Sequence, residues 1–283
     1  MSRHLLVAAP ALLALAACSV SQPRTAPQKF VIAQFDPVGT GSAGPDIPLP
    51  NDLVLHQNPN SLCSPPSDAS APACAEAELI QSFIDANGYP ADQEVAVTID
   101  FIETSFNADG TTTNTAPDLD LSTFTPSTFF VYAQNAAGTG EVPIDPLGSD
   151  DYVKYADHGT LTIHNVGHAP WPPGVYAVLV RGGDNGVKTT DGLPVNPSQI
   201  FYLLRQNVDL ASPANNGLLK AQLGSEEAAH EQGLELNEIS GLWNEFAFPA
   251  AATRFPYQEL AILTQFSIQH QPTNVSIDPS RGL

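Results

Sequence analysis

Basic side chains are scarce in this sequence. Its 283 residues hold 10 Lys and Arg against 30 Asp and Glu, a formal net charge of −20. A chain so anionic repels phosphate backbones and anionic headgroups alike, which excludes a nucleic-acid surface and a polybasic membrane patch. An extracellular or calcium-requiring protein has this balance, and so does a merely soluble one. Cysteine is nearly as rare, at three residues, and no CxxC spacing occurs, which argues against a cysteine-based zinc motif. Beyond the first 17 residues no apolar run is long enough to cross a bilayer.

What is present begins at the first residue. Arg3 is followed by an apolar stretch over residues 5–17, too short for a mature transmembrane helix and typical of a signal peptide over 1–17. It ends in Leu15-Ala16-Ala17-Cys18, which resembles the lipobox of bacterial lipoproteins, where small residues admit the peptidase and the thiol carries a diacylglycerol. The resemblance implies lipidation of Cys18, with palmitate among the acyl chains, a tether over 18–29, and a partner in the membrane itself. Ser19 rather than Asp after the cysteine points to the outer membrane or cell surface. The other two cysteines, Cys63 and Cys74, stand eleven residues apart in a Ser-, Pro- and Ala-rich loop and are expected to form a disulfide. A loop of that size would gain roughly 2–3 kcal/mol from the link.

Periodicity places the body of the chain in the mainly β class. Val95, Val97, Ile99 and Phe101 alternate with smaller or polar residues, the period of a half-buried strand. Further strands are expected over 128–133, 152–155, 160–165, 175–181, 200–204 and 260–268. Between them lie turn signals such as Ala108-Asp109-Gly110, Asn185-Gly186 and Asp191-Gly192. Prolines at 45, 48 and 50 forbid a helix there. A short helix fits 75–87, where Leu79, Ile80, Phe83 and Ile84 share a face. A helical segment fits 217–247, with Gly224 and Gly233 as its breaks. Within it Leu234, Leu236, Ile239, Leu242, Trp243, Phe246 and Phe248 read as a seam that docks helix on sheet. Trp171, set among prolines, is expected in an exposed loop. So many short strands with so little helix between them argue a β-sandwich over βαβ units.

Several motifs sharpen this. Phe35-Asp36-Pro37, Ile47-Pro48-Leu49-Pro50-Asn51-Asp52-Leu53, Gly159-Thr160-Leu161-Thr162-Ile163, Pro173-Gly174-Val175-Tyr176-Ala177-Val178 and Asp191-Gly192-Leu193-Pro194-Val195 resemble the Ig-like N-terminal module of bacterial virulence-factor-type lipases. The stretch from Pro173 to Val195 is also similar to Ig-like domains of surface-layer proteins. The resemblance covers residues 30–270 loosely and implies an Ig-like β-sandwich with a helical insert. In such lipases an esterase domain with a GxSxG elbow follows, and no GxSxG occurs here. The closing residues from Ile277 to Leu283 echo Phe35-Asp36-Pro37 and predict that 271–283 opens a second unit.

Chemistry-bearing clusters are few. The GxGxxG match at Gly39–Gly44 is followed by prolines rather than a helix, so it reads as a surface insert and not a nucleotide loop. Asp184, Asn185 and Asp191 bracket a turn that offers oxygens to calcium, although hairpin chemistry accounts for the same residues. His164 and His168, with Asp157 and His158 upstream, invite zinc; on a continuous strand they would stand about 13 Å apart, too far for one ion unless the chain turns at Gly167. They are expected to be ordinary loop histidines. Glu226-Glu227 and Asp150-Asp151 read as solvated surface, and no catalytic residue is assigned. The expected function is a non-catalytic, lipid-anchored surface or spacer module, meeting a protein or glycan ligand. Two alternatives stand beside it: the N-terminal part of a lipase-like hydrolase whose catalytic domain is absent, and a calcium-dependent adhesion module.

Overall fold

Strand-forming residues dominate the middle of the chain, and they assemble into two sheets. The computed structural model describes residues 28–37, 47–53, 81–83, 88–107, 109–135, 141–144 and 153–269. Among them strand exceeds helix, 33% against 29%, so the chain is mainly β. The strands are β1 (Gln28–Ala33), β2 (Val97–Phe106), β3 (Thr112–Thr115), β4 (Phe129–Asn135), β5 (Glu141–Ile144), β6 (Val153–Asp157), β7 (Thr160–Ile163), β8 (Gly174–Arg181), β9 (Val195–Pro197) and β10 (Leu260–Ile268). One sheet runs β6-β7-β2-β1-β9 with β3 also paired to β2; the other runs β10-β8-β4-β5. Every pairing is antiparallel except β1 with β9.

The long strand β2 organises the first sheet. Its residues from Phe101 to Phe106 pair with β1 on one edge, while Val97 to Asp100 pair with β7 and Glu103 to Phe106 with β3 on the other. Val97, Ile99 and Phe101 are buried and Asp100 is exposed, the alternation expected of a sheet with one wet face. In the second sheet the alternation disappears. Tyr176 to Val180 of β8 and Leu260 to Thr264 of β10 are buried without interruption. Both faces of that sheet are therefore covered, the inner one by the first sheet and the outer one by helical chain.

The segment Ile47-Pro48-Leu49-Pro50-Asn51-Asp52-Leu53 fastens the two sheets together. Leu49 exchanges backbone hydrogen bonds with Thr98 of β2, at 3.1 and 2.6 Å. The next residues turn to the other sheet, where Thr264 donates its hydroxyl to the Pro50 carbonyl at 2.8 Å. Asp52 accepts from the Ser267 amide and hydroxyl at 2.7 and 2.8 Å. Asn51, fully buried, is held by Tyr89, whose hydroxyl accepts from the Asn51 amide at 3.0 Å and donates to its carbonyl at 2.9 Å. The prolines keep the chain beside Leu49 out of a helix and out of either sheet's interior, where their missing donors would leave gaps.

Helix is more extensive than expected. Its longer segments are α1 (Gln199–Leu204), α2 (Gly217–Leu223), α3 (Glu226–Glu245) and α4 (Ala247–Ala252). The strand expected over 200–204 is α1 instead. Ser198 caps it, accepting from the Phe201 amide at 3.2 Å, and donates its own hydroxyl to the Phe35 carbonyl at 2.9 Å. A five-residue apolar run carries no period of its own, and the cap decides. Gly224 does end α2, in a left-handed conformation. Gly233 does not break α3: it sits inside the helix, where a Cβ would stand 2.4 Å from the Leu210 carbonyl oxygen. Its smallness serves a close crossing, with the 205–216 loop pressed against the helix.

The expected docking seam exists. Leu236, Trp243, Phe246 and Phe248 are buried, and Ile239 and Leu242 pack against the core, whereas Leu234 is half exposed. Trp243 meets Phe35 at 5.4 Å, Phe201 at 5.7 Å and Phe248 at 5.8 Å between ring centroids, all in edge-on or tilted geometry. On the outer face of the second sheet, Phe130 packs on Phe255 at 5.5 Å, and Tyr132 hydrogen-bonds with Thr253 and Arg254.

Trp171 corrects an expectation. It is 1% exposed rather than presented to solvent. Its loop folds inward between the sheets, where the ring meets Tyr176 at 5.0 Å and Phe266 at 5.8 Å and the indole N–H donates to the Val95 carbonyl at 2.6 Å. The prolines set the path of the loop, and burial of a large ring sets its direction. Of the helix expected over 75–87, residues 81–83 are helical, and Gly88 closes the turn by donating to the Phe83 carbonyl at 3.0 Å. The rest of that helix lies outside the described residues, as do the signal peptide, Gly39–Gly44, 271–283 and residues 18–27 of the tether expected over 18–29, whose last two residues, Gln28 and Lys29, instead open β1. Among the described residues no helix is long and apolar enough to cross a membrane.

Candidate functional site

Strand β7 ends at Ile163, whose partner across the ladder is Val97 at the start of β2. The chain then turns sharply. Gly167 has φ 63° and His168 φ 57°, both left-handed, and the His168 amide donates to the Asn165 carbonyl at 3.0 Å. Glycine adopts that conformation without the steric cost an L side chain bears. Asn165 closes the loop by donating its side-chain amide to the Pro170 carbonyl at 2.8 Å. One residue further on, Trp171 is pinned to Val95, next to Glu94.

The turn brings three side chains to one point. The Nδ1 atoms of His164 and His168 each lie 2.5 Å from the same Oε1 of Glu94. The two imidazoles stand 4.3 Å apart between centroids with their planes at 49°. His164 is largely covered, at 15% side-chain exposure, while Glu94 and His168 are open at 37% and 39%. The hydrogen bond from His168 comes first in holding the Glu94 carboxyl below the usual carboxylate range; partial burial opposes it and the bond from His164 supports it. One ligand atom from each of the three residues lies within 4.8 Å of the others, and among the described residues no other group of His, Cys, Asp or Glu converges this way.

The residues expected to carry calcium do not join this cluster. Asp184 and Asn185 occupy an exposed turn after β8, and Asp191 occupies a separate exposed turn. Asp191 is close enough to Lys29 to add to the elevation of its ammonium pKa, an effect due first to the hydrogen bond with Glu103 at 2.7 Å. Asp157 and His158 contact one another at the tip of the β6–β7 hairpin, the opposite end of β7 from His164. Cys18, Cys63 and Cys74, and the acidic residues Asp145, Asp150 and Asp151, lie outside the described residues.

The histidine pair reads differently in three dimensions. It was expected as two loop residues that could meet only if the chain turned at Gly167, and the chain does turn there. Nothing in the sequence marks Glu94 as a partner of these histidines, because 70 residues separate it from His164. The glycine placed between two histidines is the one local signal that pointed to the site.

No family model, no curated protein and no solved structure matches this chain. The fold and the site therefore rest on their own geometry.

Proposed function

We propose that the protein is an exported, lipid-anchored, non-catalytic surface module, in which an Ig-like β-sandwich is held off the membrane by a short tether. The observation that carries this reading is Leu15-Ala16-Ala17-Cys18 at the end of an apolar signal segment. Residues 19–27 separate that cysteine from the first strand at Gln28. Extended, nine residues reach about 30 Å, enough to clear headgroups while keeping the sandwich near the surface. Acyl chains attached at Cys18 would supply the anchorage, at about 0.8 kcal/mol per buried methylene. The strong negative charge favours this arrangement, since it keeps the body from collapsing onto anionic lipid. The resemblance to modules that precede a catalytic domain in lipase-type lipoproteins supports a spacing and presenting role.

The test is metabolic labelling. Bacteria expressing the full chain and fed an alkyne-tagged palmitate should yield a labelled protein in the membrane fraction, and Cys18→Ser should lose both the label and the membrane association. Wild-type chain recovered unlabelled from the soluble fraction would overturn the proposal.

A further inference from the structure

We propose that Glu94, His164 and His168 form a binding site for a divalent first-row transition ion, with zinc(II) the best match, which clips the 164–171 loop to the start of β2. The proposal does not depend on the lipid anchor.

The donor set comes first. Two imidazole nitrogens and one carboxylate oxygen suit zinc and its neighbours, and they do not suit calcium, which takes six to eight oxygens. The geometry is close to what an ion needs. Tetrahedral bonds of about 2.1 Å place donor atoms roughly 3.4 Å apart. Here each Nδ1 stands 2.5 Å from Oε1, so an ion is admitted by parting the donors by less than about 1 Å. Rotations of three side chains supply that, and the backbone stays as it is.

Preorganisation comes next. Each ligand is placed by an independent constraint: His164 by the last rung of the β2–β7 ladder, His168 by the left-handed turn at Gly167, and Glu94 by Val95, whose carbonyl is tied to the buried Trp171. Little conformational freedom remains to be lost on binding. With Glu94 and His168 each more than one-third exposed, water can reach the remaining coordination position. The ion would be exchangeable rather than sealed in. A structural alternative would have His164 and His168 simply hydrogen-bonded to Glu94, and the two differ in what zinc does.

Purified full-length protein, freed of metal with a chelator, is titrated with zinc chloride and followed by calorimetry and thermal melting. The expected result is one tight equivalent and a melting temperature raised by roughly 5 °C, with no comparable rise from calcium or magnesium. His164→Ala and Glu94→Gln should each weaken zinc binding at least tenfold. Because His164 is partly covered and its loss could impair folding, His168→Gln at the exposed position is the second variant and should weaken binding as much. His158→Ala, at the far end of the hairpin, should bind as the wild type does. Cobalt(II) should give the visible bands of a four-coordinate nitrogen and oxygen site, lost in His168→Gln. Absence of a tight equivalent, an equal response to calcium, or undiminished binding in the folded His168→Gln variant would overturn the site.

Discussion

The two sheets differ in how many faces they bury. In the first, β2 alternates and β3 is exposed along its whole length; in the second, β8 and β10 each carry five consecutive buried residues. A sheet with one wet face needs apolar residues only at every second position, while a sheet covered on both sides needs them everywhere. The difference teaches where the helices belong. Residues 253–255 lie over the outer face of the second sheet, against Phe130 and Tyr132, and the loops around β2 are left open to solvent. It is on this open sheet that the polar cluster of Glu94, His164 and His168 stands.

The largest expected effect tests whether that outer face is a true core. Phe130→Ala removes a ring that packs on Phe255 and lies beneath the Arg254 guanidinium, and should cost about 3–5 kcal/mol in urea unfolding. A loss near zero would mean that the helical chain only rests on the sheet.

Next comes the fastening between the sheets. Tyr89→Phe strands the Asn51 amide and carbonyl in a buried place and should cost about 1–3 kcal/mol. Burial comes first in pushing the Tyr89 phenol up to about 12, against an ordinary value near 10. The folded state thus holds this proton more firmly than the unfolded chain. Its contribution is fully present below pH 10 and is lost as pH rises from about 10 to about 12. Urea midpoints measured across that window should fall more steeply for the wild type than for Tyr89→Phe.

A smaller effect is expected where α3 crosses the 205–216 loop. Gly233→Ala gains up to about 1 kcal/mol of helix propensity, yet its methyl group meets backbone atoms of Leu210 and Ala211 at 2.4–2.6 Å. The net loss should be about 1–2 kcal/mol, read from the thermal midpoint. A gain in stability would show that the loop yields.

The smallest effect belongs to the exposed edge. Thr115→Ala, on β3, should change the unfolding free energy by no more than about 0.5 kcal/mol. Together with Phe130→Ala it brackets the contrast between the sheets.

Much of the sandwich was legible in the residues. The alternation of Val97, Ile99 and Phe101 carries the period of a strand, and the apolar runs of β8 and of Leu260–Ile268 are rich in β-branched and aromatic residues that favour strand. The run Ile200-Phe201-Tyr202-Leu203-Leu204 carries none, and its helix depends on a cap and on a place to bury both sides. Trp171 is buried against expectation for a related reason, since flanking prolines describe the stiffness of a loop and not which way it folds. The cluster of Glu94, His164 and His168 was half visible. Two histidines four apart with a glycine between them are local, but their common partner is not.

Composition and local pattern alone determined the anionic character, the mainly β class, the lipobox-like segment and most strand positions, because these depend on neighbours within a few residues. The tertiary structure decided the rest: the fastening of both sheets by residues 47–53, the close crossing at Gly233, and the meeting of Glu94 with His164 and His168. Each of these joins residues far apart in the chain, and whether such residues meet is settled by packing, which no short stretch of sequence encodes.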